Sequence, residues 1–125
     1  MSKELNPVGW FEIPVRDLAR AKAFYEYVFA IKLDEHQIGP LQMAWLPMNE
    51  DAVGASGSLV KGNGYDPSFE GVLIYFTAPD IEATLSRSKE KGGKVIAEKT
   101  RIGEYGFIAL IQDTEGNRIG LHSRE

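Results

Sequence analysis

Residues 8–15 alternate with period two: Phe11, Ile13 and Val15 fall on one side of the chain and Trp10, Glu12 and Pro14 on the other. That alternation predicts a half-buried strand. The spacing then changes. Asp17 offers an N-cap oxygen, and Leu18, Ala21, Phe24, Tyr25, Val28 and Phe29 recur at helical intervals, predicting a helix through Ala30 with one apolar stripe. Residues 31–38, 41–48 and 55–61 read as three further strands, separated by Gly39-Pro40 and by the polar stretch 49–54. After the turn-rich run Gly62-Asn63-Gly64-Tyr65-Asp66-Pro67 the order begins again. In residues 71–78, Val72, Ile74 and Phe76 alternate with Leu73, Tyr75 and Thr77. Asp80 caps a second helix with Ile81, Leu85 and Ser88 on one side, and Gly92-Gly93 ends it. Strands at 94–98, 106–112 and 117–123 follow, the last two joined by Asp113-Thr114-Glu115-Gly116, where glycine supplies the φ > 0 position of a tight turn.

Both halves therefore read strand, helix, strand, strand, strand, with Asp17 and Asp80 at equivalent caps. The fold class that follows is α+β: two tandem βαβββ modules, about 8–61 and about 70–123, within a single domain spanning 1–125. Each module has one helix for a four-stranded sheet and leaves a mixed face over, so the sheets are expected to form a shared cleft in which function would sit.

Composition narrows the choice of function. At 125 residues, 43% hydrophobic and 26% charged, the chain supports one compact core. A net charge of −4 with scattered lysines and arginines argues against nucleic acid as a partner. The absence of cysteine excludes thiolate metal sites and thiol nucleophiles. No apolar run is long enough for a signal-peptide core or a membrane span, so a cytoplasmic location and no membrane partner are expected. The glycines at 54, 57, 62 and 64 lack the context of a phosphate loop, and Ser56 lacks the spacing of a nucleophile elbow.

Three stretches resemble one known family. The run from Phe11 to Tyr25 is similar to the opening strand and helix of vicinal oxygen chelate proteins, the superfamily of glyoxalase I, the bleomycin-resistance proteins and the extradiol dioxygenases. Ala78-Pro79-Asp80-Ile81-Glu82-Ala83 resembles the start of the second module, and Asp113 to Leu121 its closing hairpin. The resemblance covers nearly the whole chain. It implies either a small-molecule binding protein or a divalent-metal-dependent lyase, isomerase or dioxygenase, and often a homodimer. Metal-using members hold the ion with His, Glu or Gln on the first and last strands of each module. Residue by residue those positions fall on Trp10, near Ser58, on Leu73 and on Gly120, and indole, isobutyl and glycine are not ligands. The expectation is therefore a small, partly apolar ligand bound with no cofactor, the alternative being a metal enzyme such as a glyoxalase I-like lyase or a dioxygenase.

Period two brings Glu12 and His122 to the same strand faces as Trp10 and Gly120, with Tyr75 nearby. The expected ligand-binding cleft is thus Trp10, Glu12, Ser58, Leu73, Tyr75, Gly120 and His122, with no catalytic residue assigned. Trp45, Met43 and Met48 are further candidates for an apolar lining, with ordinary sheet core favoured for Trp45 and Met48. His36, close to the Gly39-Pro40 turn, is expected to be exposed.

Overall fold

The computed structural model describes residues 5–125. Module one consists of β1 (Phe11–Pro14), α1 (Leu18–Phe29), β2 (Asp34–Ile38), β3 (Leu41–Trp45) and β4 (Gly57–Lys61). Module two consists of β5 (Ile74–Thr77), α2 (Ile81–Glu90), β6 (Lys94–Arg101), β7 (Phe107–Gln112) and β8 (Arg118–Ser123). The sheets have the matching orders β1-β4-β3-β2 and β5-β8-β7-β6. β1 pairs with β4 and β5 with β8 in parallel, and all other pairings are antiparallel.

Both helices start where the sequence says. Asp17 Oδ1 accepts from the Arg20 N–H at 3.0 Å, and Asp80 Oδ1 from the Ala83 N–H at 3.1 Å. At the other end of α1 no glycine is available, and Ala30 takes the left-handed conformation at φ 55 while its N–H returns to the Glu26 carbonyl.

Ile13, Leu59 and Ala44 lie in one register row and face α1; Leu121 and Ala109 do the same beneath α2. The two helices touch, and their side chains, with both helix-facing sheet surfaces, make one core around Phe24, Tyr25, Val28, Ile81 and Leu85. The helix-free faces are therefore left over, as the alternation requires. That of sheet one carries Glu12, Ser58 and Trp45 in one row and Val60, Met43 and His36 in the next; that of sheet two carries Tyr75, Gly120 and Leu110.

Beyond the core, a polar interlock joins the β7–β8 turn to the start of module one. Glu115 Oε1 accepts from the backbone N–H groups of Arg16 (2.9 Å) and Asp17 (3.0 Å), and Arg20 donates to both carboxylate oxygens at 2.7 and 3.0 Å. The Tyr25 hydroxyl donates to Asp113 at 2.7 Å, and Asn117 Nδ2 to the Pro14 carbonyl at 2.8 Å. Burial alone would push the Glu115 carboxyl up, but the guanidinium, the two backbone donors and the Thr114 hydroxyl outweigh it and hold its pKa at about 2.

Several strand boundaries differ from the pattern. β1 and β5 are shorter than residues 8–15 and 71–78, so Val8 and Val72 lie outside the sheets and are exposed. β3 stops at Trp45, which leaves Met48 in a loop and 60% exposed rather than in a sheet core. β6 instead runs on to Arg101, with two register shifts along β7.

Candidate functional site

β1 and β5 are each the edge of their own sheet, and the two modules meet along these edges without a shared ladder. Side chains bridge the seam instead: the Phe11 and Phe76 rings stand edge to face at 5.8 Å, and Phe76 stacks on Phe29 at 4.5 Å. Because backbone does not close the gap, grooves remain beside it. One, of about 520 Å³, is lined by Val8, Trp10, Glu12 and Pro14 from module one, by Val72, Ile74 and Arg118 from module two, and by Asp66 and Ser68 of the connection. The other, of about 340 Å³, is lined by Phe11, Leu46 and the loop at Val53–Ser56 against Ile74, Tyr75, Phe76 and Thr77. The cleft is shared between modules, as expected, but it follows the seam of the sheets.

That placement separates the expected site residues. Trp10 and Glu12 line the first groove together; Tyr75 lines the second. Ser58, Leu73, Gly120 and His122 line neither. Ser58 is fully buried, its hydroxyl donating to the Leu59 carbonyl at 2.7 Å with the Ala44 carbonyl also within reach at 3.2 Å. Gly120 lies beneath the Tyr75 ring, which a Cβ there would meet at 2.5 Å. His122 Nε2 sits 2.7 Å from the Tyr105 carbonyl oxygen, in the short helical turn Gly103–Tyr105, so a hydrogen bond there requires Nε2 to carry the proton.

Around the first groove the aromatic side chains support one another. Trp10 stands edge-on to Trp45 at 5.8 Å, and the exposed His36 ring stacks on Trp45 at 3.7 Å. The Glu12 carboxylate raises the pKa of the Tyr65 phenol, first by accepting its hydrogen bond and then through its charge. Sequence pattern missed Arg118, Asp66 and Val72 as lining residues. Asp66 lies in the connection and Val72 falls outside β5, where alternation does not fix direction, while Arg118 shares the helix-free face of β8 with Gly120 and His122 but was not singled out.

The profile of the Glyoxalase/Bleomycin resistance protein/Dioxygenase superfamily matches residues 8–121. The chain belongs to this superfamily. A Mycobacterium tuberculosis protein that bears a provisional glyoxylase name, CFP32, is 28% identical over 119 residues; the match covers 90% of this chain and 44% of that relative, so this chain spans less than half of its length. Among solved structures, a glyoxylase/bleomycin resistance protein/dioxygenase domain from Frankia sp. EAN1pec superposes with a TM-score of 0.74 at 15% identity, covering 97% of this chain and 99% of that one. Glyoxalase I from Zea mays superposes with a TM-score of 0.67 at 21% identity, covering 94% and 46%. At these identities the structures establish the fold alone.

The divalent ion used by part of the superfamily does not fit the residues at the corresponding positions. Trp10 and Leu73 offer no donor, the Ser58 hydroxyl is fully buried and lines neither groove, and the Tyr75 ring fills the space above Gly120. Among the described residues no three His, Asp or Glu side chains converge. Glu12 and His122, which period two assigns to the same strand faces as Trp10 and Gly120, lie on different sheets and line no common groove.

Proposed function

We propose that this chain binds a small, partly apolar molecule in the seam groove beside Trp10 and Glu12, without a metal ion. The observation that carries the reading is that groove itself: apolar walls from both modules, with Trp10 still 37% exposed and a carboxylate at its side. Superfamily membership supports a small-molecule site in general terms. The reading is tested by following tryptophan fluorescence and melting temperature during titration with a panel of small aromatic and aliphatic compounds. Trp10→Ala and Glu12→Ala are expected to weaken binding at least about tenfold while unfolding within about 1 kcal/mol of the parent. A loss of more than about 3 kcal/mol in Glu12→Ala would mark it as structural and remove the reading.

The same proposal includes a homodimer in the cytoplasm. Tyr75 is 46% exposed on the uncovered face of sheet two, and every residue of the edge strand β2 is exposed, surfaces that a second copy is suited to cover. Sedimentation equilibrium at tens of micromolar (about the useful range) is expected to show a species twice 13.9 kDa, and the 13.9 kDa species alone would remove the dimer. Among the described residues no helix is long and apolar enough to cross a membrane.

A further inference from the structure

Arg118 has a charge and a buried donor that nothing else among the described residues satisfies. It opens β8 on the helix-free face, and its guanidinium lies over the Phe69 ring with Cζ 5.4 Å from the centroid. Its Nε is enclosed and has no hydrogen-bond partner. The two ion pairs among the described residues, Arg20–Glu115 and Lys22–Glu35, do not involve it. Glu12 and Asp66 line the same groove, yet neither forms an ion pair with Arg118. The enclosed Nε is out of a ligand's reach, so a contact falls to the terminal N–H groups, and a guanidinium held in place on an aromatic ring is already oriented for a planar oxyanion.

We infer that the ligand of the seam groove is an amphipathic monoanion, a single carboxylate on a flat apolar body. The carboxylate oxygens accept from Arg118, and the body lies against Val8, Trp10 and Val72. This deepens the binding reading above and rests on it. Glu12 and Asp66 limit the class, because a second negative charge on the ligand would meet them in a groove partly shielded from solvent. A hydroxyl or amide donor on the body is compatible with the same two carboxylates.

The test titrates the full chain with naphthoate, with the neutral naphthamide and with naphthylmethylammonium, read by calorimetry and tryptophan fluorescence. Naphthoate is expected to bind about tenfold or more tightly than the amide, as a charge-assisted contact requires. That advantage disappears in Arg118→Gln and persists in Arg124→Gln, a change at an exposed arginine outside the groove. Circular dichroism and melting check folding. If Arg118→Gln does not fold, Arg118→Lys serves instead, expected to keep part of the preference while losing the paired hydrogen bonds. Equal binding of acid and amide, tighter binding of the ammonium, or a preference unchanged in Arg118→Gln each overturns the inference while leaving the groove a binding site. No binding of any probe at millimolar concentration overturns both. If Arg118→Gln dissociates a dimer and acid and amide bind alike, the missing acceptor is a carboxylate of a second copy, and the small-anion assignment falls.

Discussion

Glu115 lies in a turn, yet its side chain is fully enclosed and accepts from two backbone N–H groups ahead of α1 as well as from Arg20. Its value of about 2, lowered from 4.5, means that the ionised form belongs to the folded state. The resulting stabilisation is complete above pH 4.5 and is lost as pH falls from there through about 2. Glu115→Gln is expected to cost about 3 kcal/mol at pH 7, by urea unfolding, with the gap to the parent closing as pH approaches the folded value. A constant gap would show that shape rather than charge makes the joint. Ser88 is the opposite case. Its hydroxyl is buried in α2 with no partner, so Ser88→Ala is expected to leave stability unchanged or raise it by up to about 1 kcal/mol. A loss above that size would mean that the hydroxyl has a partner, such as a buried water.

The elements obey local rules, and the departures have local causes. Asp17 and Asp80 each satisfy an orphan N–H, so Asp17→Ala or Asp80→Ala is expected to lower stability by about 1 kcal/mol. Ala30 holds a left-handed conformation that costs a side chain about 1 kcal/mol, and Ala30→Gly is expected to recover up to that amount in thermal or chemical unfolding. The helix limits were legible because caps and apolar spacing act within a few residues. Strand ends were less so. The residues at 8–10 and 71–73 continue the alternation of β1 and β5 but find no partner strand, and pairing is settled by the neighbouring strand rather than by the residue's own preference.

For the whole molecule, the metal state is the property most open to direct measurement. A chain without the donor set is expected to carry no stoichiometric transition metal after mild purification and to gain little stability when Ni²⁺, Zn²⁺, Mn²⁺ or Fe²⁺ is added. A native site would add about 2.7 kcal/mol at a hundredfold excess over Kd, which melting resolves. About one ion per chain by elemental analysis, lost in Glu12→Ala or His122→Ala, would overturn the metal-free proposal.

At that scale the sequence by itself determined the two βαβββ modules, the capped helices and the faces on which Glu12, Tyr75 and His122 lie. These depend on periods of two and 3.6 residues and on short-range capping. The resemblance implies that Trp10, Leu73 and Gly120 stand where metal-using relatives carry donors, and whether such a side chain can ligate depends only on its identity. Tertiary structure decided which faces meet. The helix-covered sides closed into one core, β1 and β5 met without a ladder, and the grooves opened along that seam, so Trp10 and Glu12 were gathered with Arg118 and Val72 while Ser58, Gly120 and His122 were left aside. Contacts such as Glu115 with Arg16 and Arg20, or Asn117 with Pro14, join residues about a hundred positions apart. Periodicity carries no signal at that separation, because what sets it is the packing of one module against the other.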